Sequence, residues 1–329
     1  MRISIVIPVY NAAATLDECL GSLYRCAHDD FEVIVVSDGS KDDSVEIAKK
    51  YPCRIEVLQQ NSGPAFARNK GAQIASGDIL LFIDADVKVK DDALRLVDKT
   101  FRKDRSINVA QGVYSGKVKY KNVATQYQQN FYAFYAWHLC DKYVSTLTTG
   151  CFAIRKKIFL DSGGFNEKIK RATAEDEEFG YKLIAAGNKI ILLKELEVEH
   201  MVEYPFGKFL KRGFTMSAAT MKSYLRNGTY IKKIGQDNYS RVLLSLPVLA
   251  LIILNFLIAS FYPSRAAVAF FLILNIFFVF LHLPFWVFVA GNNSFGVVLG
   301  SAILTYVDIF LMGMGAFFGW VDFIFRDRY

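Results

Sequence analysis

Apolar and polar positions divide this chain into two halves of different character. In the first, short apolar runs alternate with helix-spaced patterns. Ile3 to Val9 is an apolar run, after which Leu16, Leu20 and Leu23 recur at helical spacing. Phe31 to Val36 and Ile55 to Leu58 read as strands, separated by a helix from Asp43 to Lys49. A helix from Ala65 to Ala75, a strand from Ile79 to Ile83 and a helix from Asp91 to Phe101 continue the alternation. This order predicts an α/β fold with a mostly parallel sheet covered on both faces. After Val109 the pattern changes. Residues 122–140 form an aromatic-rich helix with more aromatic surface than one buried face needs, Thr149 to Ile154 reads as a strand, and Glu175 opens a helix whose apolar side carries Phe179, Leu183 and Ile184. A last strand falls around Leu196 to Val198.

The second half is too continuously apolar for an amphipathic surface helix. Between Val242 and Val321 the only formal charges are Arg265 and Asp308. Three stretches, 242–260, 266–290 and 295–321, are each long enough to cross roughly 30 Å of hydrocarbon as a helix. Pro247, Pro284 and Asn255 are tolerable in helices that pack together in a membrane. Gly296 with Gly300, and Gly315 with Gly319, repeat a small residue at a spacing that permits close helix contact. His282 and Asp308 at such depth should face protein or a polar cavity, as an intramembrane pair or a headgroup contact.

Charge refines this picture. From Gly207 to Arg241 the chain carries Lys208, Lys211, Arg212, Lys222, Arg226, Lys232, Lys233 and Arg241 against Asp237 alone. Such a bias marks a cytosolic flank attracted to anionic lipid, and the net charge of +7 is then a membrane-surface signal. No basic and aromatic interleaving favours a nucleic-acid groove. The chain enters a strand at Ile3 with no signal segment before it, so the expected placement is an integral membrane protein with a cytoplasmic globular domain. Three crossings would leave the carboxyl terminus outside, which Arg326 and Arg328 oppose, and the third stretch can instead be re-entrant or lie partly in the interface. Cys19, Cys26, Cys53, Cys140 and Cys151 have no metal-ligand spacing and read as reduced small hydrophobes. The expected organisation is a globular domain over 1–205, a basic amphipathic, interfacial linker over 206–241, and a membrane domain of about three segments over 242–329.

Candidate chemistry sits at the predicted strand ends, where open sheets bind ligands. The run Ile79 to Ile83 delivers Asp84 and Asp86 to an abrupt polar ending, readable as a divalent-cation site beside a phosphorylated ligand or as a strand end and helix cap. Asp38 follows the second strand, beside Gly39 and Ser40, and can accept hydrogen bonds from a base or ribose; an ordinary strand-to-helix turn is the alternative. Arg68 rides on a helix opened by Gly63-Pro64 and can reach towards phosphate. Neither an ATP-binding loop nor a dinucleotide fingerprint is present. Gly150 leaves space for a ligand at the start of its strand. Glu175 and Asp176 favour a helix start electrostatically, and a carboxylate there can also remove a proton from an attacking hydroxyl. His200 reads equally as a metal or phosphate contact and as a structural histidine.

Taken in order, Ser4-Ile5-Val6-Ile7-Pro8-Val9-Tyr10-Asn11, Asp38-Gly39-Ser40, Ala67-Arg68-Asn69 with Gly71, Asp84-Ala85-Asp86, Gly163-Gly164-Phe165 and Glu175-Asp176 resemble the inverting glycosyltransferases of family 2, with the GT-A fold, over about residues 2–200. The resemblance implies a GT-A-like nucleotide-sugar-binding domain followed by interfacial and transmembrane helices. By it, Pro8, Tyr10 and Asp38 hold the nucleotide base and ribose with Arg68 close by. Asp84 sits against the nucleotide, Asp86 binds Mg²⁺ or Mn²⁺, and Asp176 is the general base with Glu175 its neighbour. UDP or GDP is the implied donor nucleotide.

Membrane-bound polysaccharide synthases of this family carry Gln-x-x-Arg-Trp on an interfacial helix. The comparable stretch here is Phe209-Leu210-Lys211-Arg212-Gly213, which keeps an arginine able to touch diphosphate and lacks the glutamine and tryptophan. The expected reaction is transfer of a single sugar to a lipid or lipid-linked hydroxyl. Transfer to polyprenyl phosphate, processive polymer synthesis and a non-catalytic binding or assembly role are the rival readings. Membrane lipids are implied partners, and glycine-rich helix faces offer a surface for a homo-oligomer.

Overall fold

A computed structural model of the chain describes residues 1–139, 142–144, 146–169, 174–227, 240–291 and 293–326. Cys140, Lys232, Lys233, Asp237 and Arg328 lie outside the described residues. The chain forms two compact units, Met1–Lys119 with Ala136–Val202, and Tyr120–Tyr135 with Glu203–Arg328.

In the first unit the order is β1 (Ile3–Val9), α1 (Leu16–Tyr24), β2 (Phe31–Asp38), α2 (Ser44–Ala48), β3 (Arg54–Leu58), α3 (Pro64–Ile74), β4 (Ile79–Ile83), β5 (Val87–Val89), α4 (Ala93–Lys103) and β6 (Val109–Tyr114). After α5 (Val123–Phe134), which belongs to the second unit, follow β7 (Tyr143–Val144), β8 (Cys151–Arg155), α6 (Lys156–Asp161), α7 (Glu175–Ala185) and β9 (Ile190–His200). One sheet runs β3-β2-β1-β4-β8-β6-β9-β5, with β7 added against β9. Alternate residues of the central strands face opposite ways, so each face builds its own core. Ile3, Ile5, Ile7 and Leu81 pack with Leu16 and Leu20 of α1. Val6, Leu80 and Phe82 pack with Ala65 of α3, Phe152 and Phe159.

The expectation of a mostly parallel sheet needs correction. β1 pairs in parallel with β2 and β4, β2 with β3, and β6 with β9. The pairs β4–β8, β6–β8, β5–β9 and β7–β9 are antiparallel. The reason is where the chain leaves and re-enters. β6 ends at Tyr114 on the same sheet edge at which Gly150 begins the approach to β8, so β8 has to run back against its neighbours. The last strand is also longer than expected, extending over Ile190–His200.

The second unit is helical: α5, α8 (Phe206–Asn227), α9 (Ser240–Phe261), α10 (Arg265–Ala290) and α11 (Phe295–Phe325). The aromatic helix is shorter than its sequence pattern, giving way to a π-helical turn over Tyr135–Leu139. Its surplus aromatics pack on helices: the Tyr127 ring meets Phe209 of α8 and Phe285 of α10 edge-on, each at 5.6 Å. α9, α10 and α11 are long and apolar enough to cross a membrane, with mean hydropathies of 2.7, 2.5 and 2.0 over their most apolar windows. A Cβ on Gly300, Gly315 or Gly319 would run into Val123, the Phe214 carbonyl or the Ala218 carbonyl, whereas Gly296 faces open space. Instead of pairing with each other, His282 and Asp308 each have a partner of their own. Nε2 of His282 lies 2.8 Å from Ser245 Oγ, and the Tyr127 hydroxyl donates to Asp308 Oδ2 at 2.9 Å.

Candidate active site at the sheet edge

The carboxyl ends of β1, β2, β3 and β4 meet one edge of the sheet, because these strands are parallel. Register brings the rest to the same edge. Ile83 pairs with Cys151, which places Gly150 beside Asp84, and the Asp84 N–H donates to the Gly150 carbonyl at 3.5 Å. Val87 pairs with His200, and the Met201 N–H donates to the Asp86 carbonyl at 2.7 Å. His200 Nε2 thereby lies 3.8 Å from Asp86 Oδ1. Tyr114, at the end of β6, stacks on the His200 ring at 4.7 Å. A Cβ on Gly150 would overlap the Tyr114 ring and hydroxyl, so Tyr114 fills the space that the sequence pattern left for a ligand.

Arg68 joins these groups. From α3 its Nη2 donates to Asp84 Oδ1 at 2.7 Å and to Thr149 Oγ1 at 2.9 Å, and its Nη1 donates to Glu175 Oε1 at 3.1 Å. The side chains of Arg68 and Glu175 are each 3% exposed and that of Asp84 28%. A guanidinium so far from water is tolerable only with carboxylates around it. Burial alone would lower its pKa; Asp84 and Glu175 outweigh burial and raise it. Thr149 also meets the next acid, since its N–H donates to Asp176 Oδ2 at 3.3 Å.

The carboxylates differ in consequence. Burial first, then the charge of Asp86, pushes the Asp84 pKa up, and Arg68 opposes the shift. Asp176 is raised well above the carboxylate range by burial and by the charges of Glu175 and Glu177. A carboxylate that holds its proton more tightly is a stronger base once ionised.

A second cluster occupies the tips of β1 and β2. Asp38 is 3% exposed and accepts from the N–H groups of Ser62 and Gly63 at 2.7 and 2.8 Å, one on each oxygen. It thus holds the entry to α3, and each oxygen keeps a lone pair for another donor. Gly39 has φ of +69°, and a Cβ there would meet the backbone of Gln60 and Asn61. Only glycine suits that turn. Pro8 pairs with Val36, and Tyr10 just beyond β1 is 52% exposed. Arg212 belongs to the second unit, where its Nε and Nη2 donate to the Tyr132 hydroxyl at 3.1 and 2.5 Å.

The donor set suits a hard divalent ion. Asp84 and Asp86 offer oxygen ligands, with His200 beside Asp86. Among the described residues no three His, Cys, Asp or Glu side chains form a closed cage. Mg²⁺-type sites are commonly held by one or two carboxylates together with substrate phosphates, so an open acidic pair fits such an ion. Sequence reasoning missed two members of this edge. Thr149 reads only as the start of a strand, and its double role depends on Arg68 and Asp176, 81 and 27 residues away. Tyr114 gave no signal beyond an aromatic residue at a strand end.

Residues 4–163 match the family described as glycosyl transferase family 2. Among characterised and catalogued relatives, the uncharacterised glycosyltransferase YibD of Escherichia coli is 40% identical over 92 residues, 27% of each chain. The poly(ribitol-phosphate) beta-glucosyltransferase of Bacillus spizizenii is 36% identical over 124 residues, 35% of this chain and 19% of that protein. The matched segments thus span about a quarter or less of those relatives' lengths. The mannosyltransferase PcManGT of Pyrobaculum calidifontis, solved with GDP-Man and Mn²⁺, shares the fold over 92% of this chain and 86% of its own, at a TM-score of 0.60 and 16% identity. Residues 4–163 thus match the glycosyl transferase family 2 model, and the chain shares the fold of that mannosyltransferase.

Proposed function

We propose, from the premise of a family 2 glycosyl transferase domain over residues 4–163, that this chain moves a single sugar from a nucleotide-diphosphate sugar to a hydroxyl of a lipid or lipid-linked acceptor, with inversion and with a divalent metal. The observation that carries the reading is the convergence of Asp84, Asp86 and Asp176 at one sheet edge, with Arg68 and Thr149 tying the first acid to the last.

In this reading Asp86, with Asp84 beside it, holds Mg²⁺ or Mn²⁺, and His200 steadies Asp86. When bound, the cation supplies positive charge for the leaving diphosphate. Pro8, Tyr10 and Asp38 form the side that takes the base and ribose. Asp176 accepts the proton of the acceptor hydroxyl as its oxygen attacks the anomeric carbon from the face opposite the diphosphate. A base in that position favours a hydroxyl acceptor over a phosphate, which is already ionised and needs none. The acceptor class is supported by the three long apolar helices that follow and by the basic stretch before them. That PcManGT was solved with GDP-Man and Mn²⁺ supports a divalent ion and a nucleotide-sugar donor.

Release of nucleoside diphosphate from UDP- and GDP-sugars by membranes containing the protein tests the donor half of this reading. Release should stop on chelation and return with Mn²⁺ or Mg²⁺. Turnover that ignores both the chelator and Asp86→Ala would remove the metal from the account.

A further inference from the structure

We propose that α11 does not cross the membrane but lies along its surface beside α8, so that the α9–α10 hairpin makes the two crossings and the carboxyl terminus returns to the side of the globular domain. This rests on the proposed membrane attachment and changes its topology.

α8 packs along α11 in a continuous register: Gly213 lies against Asp308 and Leu311, Phe214 and Ser217 against Gly315, Ala218 against Gly319, and Lys222 forms an ion pair with Asp322. Both sets of numbers rise together, so the two helices run the same way. Were α8 to cross, α9 would cross back and α10 cross again, and α11 would have to run opposite to α8. In sequence, positions 228–239 carry Lys232, Lys233 and Asp237, which hydropathy reads as too charged for a span. Two helices packed side by side share one orientation to the membrane, so the parallel register leaves both uncrossed.

On α8 the uncharged stretch between Arg212 and Lys222 rises about 15 Å, half the roughly 30 Å of hydrocarbon. Upright, the pair would bury one of these charges; lying flat, it keeps both near headgroups. Gly313 lies 18 residues into α11, about 27 Å along it, yet its neighbour is Leu246 in the second turn of α9. A crossing α11 would by then have reached the far end of α9. It instead passes obliquely over the hairpin, with Tyr306 stacked on Phe278 on the way.

One face of α11 fits this placement. Ile303, Phe310, Phe317 and Ile324 recur every seven residues and are exposed, while Ser301, Thr305, Asp308, Gly315 and Gly319 on the other side are buried. The apolar row meets the acyl region of one leaflet, and the lysines of α8 meet anionic headgroups at its border.

The test is a depth profile of the full chain in anionic vesicles, with nitroxide probes placed singly at 303, 310, 317 and 324, which together cover about 32 Å of helix. Uniformly shallow depths support the surface placement. A maximum at 310 and 317 flanked by shallow ends would overturn it while leaving membrane attachment intact, and probes open to water throughout would overturn the attachment itself. As an independent readout, a carboxyl-terminal alkaline phosphatase fusion should be inactive and a fluorescent-protein fusion bright; the reverse pattern contradicts the proposal.

Discussion

Arg68 donates to Asp84 across 2.7 Å, and this single contact ties the acidic end of β4 to helix α3. The same guanidinium holds Glu175, so it links the expected metal pair to the helix that carries Asp176. An arginine here is as much a scaffold for the carboxylates as a reader of phosphate.

Removing it should therefore be costly. Arg68→Met leaves Glu175 and Asp84 without their cation, and breaking a buried pair in this way costs about 3–5 kcal/mol. A marked fall in thermal midpoint in detergent is expected, along with loss of transfer. An unchanged midpoint would show that Arg68 is not the scaffold its contacts imply.

Asp176 sets a pH dependence. Burial, Glu175 and Glu177 raise its pKa, so the base form appears only above the ordinary carboxylate range and transfer should rise with pH through that value. Glu175→Gln removes one of the raising charges, and the acid limb of kcat/KM should move to lower pH. Stability has the opposite sign. A raised acid contributes stability that is full below its unfolded pKa and is lost as pH rises through the folded one. Asp176→Asn should then abolish transfer to a hydroxyl and melt no lower than the wild type at neutral pH.

Asp38→Ala separates scaffold from ligand contact. It leaves the N–H groups of Ser62 and Gly63 without their acceptor, at about 1–3 kcal/mol for a buried unsatisfied group. Both stability and donor affinity should fall, measured by thermal shift with and without nucleoside diphosphate. A variant that loses affinity with no change in midpoint would refute the capping role.

Gly319→Val tests the helix seam. Its Cβ would sit on the Ala218 carbonyl, so α8 and α11 must part, at about 1–3 kcal/mol for overpacking. Gly296→Val, in open space, is the control and should melt as the wild type does.

The first half of the fold was legible because its central strands are buried on both faces and appear as unbroken apolar runs. Ile79–Ile83 and Ile3–Val9 lie where the pattern put them. Sheet direction was not legible, since a strand's sequence does not say which way it runs; that followed from β6 and β8 sharing an edge with the chain's excursion into α5. The three long apolar helices followed from hydropathy alone, but their partners did not. Nothing near Asp308 in sequence points to Tyr127, 181 residues away. At the sheet edge the acids were visible as motifs, while Thr149, which meets Arg68 and Asp176, and Tyr114, which stacks on His200, depend on contacts that no local pattern encodes.

The central claim is most directly tested by incubating membranes with labelled UDP- and GDP-sugars and extracting the lipid fraction. The account predicts label in lipid with one donor, none after chelation, and none from Asp176→Asn. Label that appears only in a water-soluble product, or in lipid with Asp176→Asn as readily as with the wild type, would contradict it.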